Sequence, residues 1–523
     1  MTATRRRLLA AAAALPLARP AWPAPGGRRI VLDAARAGAP LDRFFDHCVG
    51  SDFPGTLYRE DSLAQLTTAV DELGFRYLRF HGIFHDVFKT VTRSAAGELV
   101  FDFSRIDALY DALLARRIRP FVELSFTPAA LKTSENRIFH WEGNTSHPEP
   151  AGWVALVEAF TRHLLQRYGA AEVRRWYFEV WNEPNLDGFW EKADQAAYFD
   201  LYTRTAKAIK AIDPLLRVGG PATAGAAWVP EFLSHAKATD SPVDFITTHT
   251  YGVDGGFLDE AGREDRKLSP SPDAIVGDVR RVRREIDASH LPGLPLFFTE
   301  WSTSYSPRDN VHDSYMSAAY VLTKLKQTQG LAQHMSYWTY TDLFEESGPP
   351  DAPFHGGFGL MTREGIRKPA WFAYKYLAAL QGRELPTGDA FSWAATDGRQ
   401  LRAIVWDWRQ PDQRSSNRGF FGRVQPAHDV GTATVELHHL PPGRYALTQH
   451  RTGYLANDAH TRYLQMGSPG ELSAPQQAEL QALTADRPAL SREIRIGASG
   501  AARLTVKLRS HDVVLLSLRR LGG

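Results

Sequence analysis

The chain has 523 residues, 43% of them hydrophobic and 11% aromatic, which is enough for a sizeable core and suggests more than one domain. Its 61 Lys and Arg nearly balance 59 Asp and Glu, giving a formal net charge of +2 with the two signs interspersed. That pattern argues against a nucleic-acid tract or a basic membrane helix, and the single cysteine, Cys48, excludes an intrachain disulfide and cannot build a metal site alone.

Residues 1–25, which include "TRRRLLAAAAALPLARPAWPAP", read as a leader. The apolar run is too short to span a bilayer, so the expectation is a secretory signal rather than an anchor, with no membrane insertion of the mature chain. Thr4 to Leu9 resembles a twin-arginine signal, which would carry a folded protein to the periplasm or beyond. A chain folded before export needs no disulfides. A disordered tail is the alternative. Residues 26–40 then hold a lone strand, "RRIVLDA" at 28–34, able to pair with strands near the C-terminus.

Over residues 41–383, strands alternate with helical patterns. Leu63, Leu66, Val70 and Leu73 step by three and four, and Gly74 stops them. Val157, Phe160, Leu164 and Tyr168 repeat the pattern before Gly169, as do Phe199, Tyr202, Ala206 and Ile209 before Asp213-Pro214. The strand-like runs are "FDHCVG" (45–50), "YLRFHG" (77–82), "RPFVELSF" (119–126), "WYFEVWNEP" (176–184), "RVGGPAT" (217–223), "DFITTHTY" (244–251), "LFFTEWST" (296–303) and "HMSYWTYTD" (334–342). Parallel neighbours need crossovers, so eight such units predict an α/β fold, a (β/α)₈ TIM barrel. An open doubly wound sheet is the rival, but its Gly-rich phosphate turn is missing after the first strand. Residues 384–523 read as short strands between Gly, Pro and Asp turns, a C-terminal β-sandwich.

Chemistry in such a barrel sits at the carboxyl ends of the strands. There the sequence places Arg79 and His81, Asn182 and Glu183, His249 and Tyr251, Glu300, Trp338, and then Glu345 and Glu346. Glu183 and Glu300 are carboxylates embedded in aromatic sequence on strands that face each other across the axis. A carboxyl pair flanking a sugar is what glycoside hydrolysis requires, one neutral and one ionised. Singly, each residue has an ordinary reading: a surface charge, a core histidine, an arginine paired with an acid. The joint pattern outweighs those readings. Glu123 and Glu179, inside strand bodies, are expected to be structural and paired with Arg or His.

"FEVWNEPNLDGFW" resembles the acid/base motif of glycoside hydrolase family 39, whose members include β-xylosidases and α-L-iduronidases. "YLRFHG", "FHWEGNTSHP", "PVDFITTHTY", "FFTEWSTSYSP", "SYWTYTDLFEE" and "FHGGFGL" resemble family segments in the family's order, over about residues 40 to 380, and lie nearer the bacterial β-xylosidases. The resemblance implies that Glu183 is the general acid/base and Glu300 the nucleophile. It implies that Asn182 binds the sugar 2-hydroxyl, that Arg79, His81, His249, Tyr251, Trp338 and Glu345 serve the glycone subsite, with Glu346 able to replace Glu345, and that His355 helps shape the pocket. It implies retention, with the carboxyl groups about 5–5.5 Å apart. No metal or organic cofactor is expected. The expected partners are carbohydrates, xylo-oligosaccharides or aryl xylosides, and not nucleic acid, with a homo-oligomer left open. The charged segment 252–273 departs from the family pattern, which bears on leaving-group preference and subunit contacts. The rival readings are another glycosidase of the same chemistry, such as an α-L-iduronidase, arabinopyranosidase or galactosidase, and a carbohydrate-binding protein without catalysis.

Overall fold

The computed structural model describes residues 27–522, so the leader expected over residues 1–25 lies outside the described residues. Among the described residues, eight parallel strands close into one barrel. They are β1 (Cys48–Ser51), β2 (Tyr77–Phe80), β3 (Arg119–Leu124), β4 (Tyr177–Val180), β5 (Arg217–Thr223), β6 (Phe245–Tyr251), β7 (Leu296–Ser302) and β8 (His334–Tyr337). Each pairs with its neighbours in sequence, and β8 closes onto β1 through Tyr337 and Val49. All eight overlap the runs read as strands.

The seven crossovers carry helices, α1 (Glu60–Leu73), α2 (Ser104–Ala115), α3 (Pro150–Tyr168), α4 (Gln195–Ile212), α5 (Val229–Thr239), α6 (Val276–Asp287) and α7 (Met316–Thr328), and α8 (Pro369–Ala379) follows β8. α1 buries Leu63, Leu66, Val70 and Leu73 against the barrel. It stops where Gly74 takes φ +79° and its N–H bonds the Val70 carbonyl at 3.0 Å, a left-handed cap that suits glycine. Among the described residues, no helix is long and apolar enough to cross a membrane.

Strand side chains alternate between faces, so inward residues recur every second position and stack in layers. The lower layer is apolar: Cys48, Tyr77, Phe121, Tyr177, Phe245 and Phe297 form a separate cluster. Two residues further along the same strands come Gly50, Arg79, Glu123, Glu179, Thr247 and Thr299, all buried. This charged layer lies directly beneath the strand tips.

Beyond the barrel, a six-stranded sheet runs from Arg383–Leu385 through Ser392–Thr396, Gln400–Trp406, Val513–Leu521 and Gly443–Thr452 to Leu490–Ile496. A three-stranded sheet joins Arg28–Asp33, parallel, to Asp429–His438 and then Ala502–Arg509. The two sheets share one core, with Ile30, Val435 and Val506 from one and Val405, Leu447 and Leu516 from the other. The region is not all-β. Ala459–Gln465 and Ala474–Leu483 are helices, started by Asp458, whose side chain accepts the Thr461 N–H at 3.1 Å, and by a Ser473/Gln476 capping box. Past these start signals the helices are rich in the helix formers Ala, Gln, Glu and Leu, with Thr461 their one β-branched residue.

Candidate active site

Why a carboxylate sits at the tip of β4 is explained by the backbone there. Trp181 and Glu183 take φ +71° and +45°, left-handed values that cost a non-glycine residue about 1–3 kcal/mol each and persist only where the surroundings impose them. The turn is fixed by the Glu183 N–H on the Ala222 carbonyl (2.8 Å) and the Leu186 N–H on the Glu183 carbonyl (3.0 Å). Trp181, fully buried, donates its indole N–H to the Phe189 carbonyl at 2.7 Å. The strand is thus bent so that Glu183 enters the barrel mouth.

Glu300 lies near the end of β7, and one oxygen of each glutamate comes within 4.8 Å of the other, with a nitrogen of His249 inside the same limit. The two carboxyl groups differ in environment. Burial, reinforced by the negative charge of Glu300, pushes the Glu183 carboxyl well above the ordinary carboxylate range. Glu300 instead has a donor on each oxygen: Arg79 Nη1 to Oε1 at 2.7 Å and the Tyr251 hydroxyl to Oε2 at 2.7 Å. His249 Nδ1 sits 2.9 Å from Glu183 Oε1. Burial, with Arg79 and His81 nearby, holds the His249 imidazole well below its usual pKa and hence neutral.

The charged layer supports this pair from below. Arg79 is wholly buried, and its guanidinium reaches Glu179 (2.5 Å), Glu123 (2.8 Å), Glu300 (2.7 Å) and the Asn182 side-chain oxygen (2.8 Å). Burial opposes its charge, but the surrounding carboxylates outweigh burial and keep it cationic. His81 is likewise held charged against burial, by Glu123 at 2.8 Å and Glu346 at 3.3 Å. Glu123 and Glu179 are the buried counter-ions the sequence leads one to expect.

A cavity of about 480 Å³ opens above, within the range of roughly 300–1,000 Å³ usual for small-molecule sites. His81, Asn182, Glu183, Tyr251, Glu300 and Trp338 line it, as expected. The Asn182 amide nitrogen is buried without a protein partner, a free donor at the floor. Four residues of the expected set do not line the cavity. Arg79 lies beneath it, positioning Glu300 and Asn182. His249 is also behind the wall, holding Glu183. Glu345 turns outward to Arg59 (2.8 Å), while its backbone N–H is held by Asp52 (2.8 Å); Glu346 enters the cavity instead. Adjacent residues in a turn point apart, and sequence alone does not say which faces in. His355 bonds the Ala352 carbonyl (3.0 Å) and is not among the lining residues. Phe358, Leu186 and Tyr305 line the cavity without having been anticipated, though "FHGGFGL", "NEPNLDGFW" and "WSTSY" contain them.

The segment 252–273 forms a hairpin, Val253–Leu258 antiparallel to Glu264–Leu268, at the cavity rim. It is bound to its own chain: the Leu268 N–H reaches the fully buried Asn417 (3.0 Å), the Arg418 N–H reaches Asp265 (2.9 Å), and Arg418 pairs with Asp259.

A proton-bearing carboxyl and a donor-bound carboxylate in one sugar-sized cavity can cleave a glycosidic bond by acid and nucleophilic catalysis. Comparison with known proteins agrees. The family model for glycosyl hydrolases family 39 matches residues 28–397. A β-xylosidase of Caldicellulosiruptor saccharolyticus is 36% identical over 462 residues, 86% of this chain and 90% of its own length. A crystal structure described as a monomeric β-xylosidase from Caulobacter crescentus CB15 is 63% identical, covering 95% of this chain and all of that one, with a TM-score of 0.93. Human α-L-iduronidase is 29% identical over 228 residues, 42% of this chain and 33% of its own length. With a matching family model over most of its length and the two glutamates assembled, this chain belongs to the glycosyl hydrolases of family 39.

Proposed function

We propose that the protein is an exo-acting β-xylosidase that releases xylose with retention of configuration. The observation that carries the reading is that one oxygen of Glu183 and one of Glu300 lie within 4.8 Å of each other in a single cavity, so the two carboxyl groups can flank one glycosidic bond. In the first step Glu183 gives its proton to the glycosidic oxygen as a Glu300 oxygen attacks C1. The C1–O bond breaks, the leaving group departs as an alcohol, and an ester joins C1 to Glu300. In the second step water attacks C1, its proton passes to the Glu183 carboxylate, and Glu300 leaves as the carboxylate. The Arg79 and Tyr251 donors suit a group that must be an anion before and after.

The glycone follows from the wall. Among the described residues that line the cavity there is no Lys or Arg, and the charged His81 is already taken by Glu123 and Glu346. An iduronate carboxylate finds no unpaired cation there and meets acidic side chains instead, which favours a neutral sugar. Export through the residue 1–25 leader, to the periplasm or the exterior, belongs to the same reading. Of the two assemblies left open, the monomer is favoured by likeness to the Caulobacter enzyme, and sedimentation at twice the chain mass would reject it.

The decisive assay is a panel of nitrophenyl glycosides with product stereochemistry followed by NMR. β-Xyloside turnover giving β-xylose first is the expected result. Preference for an α-L-iduronide, first release of the inverted anomer, or binding without turnover would each overturn the reading. Glu300→Ala is expected to abolish turnover while circular dichroism stays that of the folded chain.

A further inference from the structure

The cavity has two ends of different character. On the floor, His81, Asn182, Glu300, Trp338 and Phe358 are each at most 4% exposed. At the mouth, Leu186 is 39% exposed and Tyr305 43%. Glu183, 8% exposed, lies between them in exposure. An enzyme that removes a terminal sugar must seat that sugar on the floor, and the acid must reach the bond joining it to the rest. The leaving group therefore extends to the mouth.

Tyr305 is more than a stray exposed aromatic. The Arg266 guanidinium lies 4.5 Å from its ring centroid and covers one face. The ring of Tyr251, which bonds Glu300, meets it at 75° with the ring centroids 6.3 Å apart. Arg266 belongs to the rim hairpin, which is locked to the C-terminal part of the chain by Asn417 and Arg418. Asn417 also donates to Asp309 (2.8 Å), four residues past Tyr305, so both partners of the stack are fixed from one buried point. A ring clamped on one face, lining the cavity and open to solvent, is a platform for the apolar face of a pyranose.

We propose that Tyr305, with Leu186, forms the subsite for the sugar ring of the leaving group, and that Arg266 is a positioning residue that sets the Tyr305 ring. This rests on the β-xylosidase reading. The test compares xylobiose, whose leaving group is a sugar ring, with methyl β-xyloside, whose leaving group is not. In Tyr305→Ala the ratio of kcat/KM for xylobiose to that for methyl xyloside is expected to fall about 5–10-fold, chiefly through KM. Tyr305→Phe keeps the ratio within about twofold, and Arg266→Ala lowers it in the same direction by less. An unchanged ratio in Tyr305→Ala overturns the proposal, as does a loss in Tyr305→Phe equal to that in Tyr305→Ala. If the wild type cleaves neither xyloside, the parent reading fails and this one with it; if it cleaves both, only the variant ratios bear on the subsite.

Discussion

Gly50 offers a test of how the apolar and catalytic layers depend on each other. It lies on β1 in the charged layer, and its missing side chain is filled by Trp338. A Cβ at Gly50 would stand 2.1 Å from Trp338 Cε3, 2.7 Å from Cζ3 and 2.9 Å from Cδ2, whereas ordinary contact begins at 3.4 Å. The indole must therefore retreat by about 1.3 Å, the difference between 3.4 and 2.1 Å. It has little freedom to do so sideways. Phe344 packs edge-on at 5.9 Å, His81 lies 4.7 Å away, and the Arg79 guanidinium sits 5.7 Å from the ring. The open direction is the cavity. Overpacking of this kind costs about 1–3 kcal/mol of stability, and a misplacement near 1 Å in a catalytic site can cost about 10²-fold in rate. Gly50→Ala is thus expected to remain folded by circular dichroism, to melt earlier, and to lose about 10²-fold in kcat/KM on an aryl xyloside. In a Trp338→Ala background the same substitution should cost little more, because the clash has lost its partner. Retention of kcat/KM within about threefold, or an undiminished further loss in the Trp338→Ala background, would refute the argument.

Two further predictions concern protons. Glu183→Gln cannot release a proton, so substrates with poor leaving groups should slow about 10²–10⁴-fold and activated ones far less. The fall in wild-type activity as pH rises and Glu183 ionises should also vanish. Because the folded pKa of Glu183 is raised, its contribution to stability is present below the unfolded value and is lost as pH rises toward the folded one. The variant escapes that loss and should melt higher than wild type at neutral pH; a lower melting temperature at pH 7 would contradict it. Glu346 follows the same logic. Burial, opposed by its bond to His81, raises its carboxyl from 4.5 to about 7. As pH rises between those values, wild type should lose up to about 3 kcal/mol of stability that Glu346→Gln keeps, since each pH unit crossed costs about 1.4 kcal/mol. Parallel stability–pH curves for the two proteins would show that burial does not govern this group.

Periodicity and composition were sufficient for the barrel. Eight strand-like runs overlap the eight strands because alternation of apolar runs with three-and-four-step helices is a local property, written in consecutive residues. The positions of Glu183 and Glu300 followed from the same pattern, since a strand tip in a parallel barrel has only one mouth to face. Resemblance then supplied the roles of the pair. What only the folded chain decided was depth and direction. Arg79 lies in β2 and His81 just past its end, and nothing in their spacing tells that Arg79 lies beneath the floor while His81 lines it. Glu345 and Glu346 are neighbours, and the choice between them was made by Arg59 and Asp52 from distant parts of the chain. The rim hairpin takes its place from Asn417, about 150 residues away in sequence. Local sequence sets φ, ψ and the alternation of faces, whereas which side chain reaches the cavity depends on contacts between segments far apart, and those exist only once the barrel has closed.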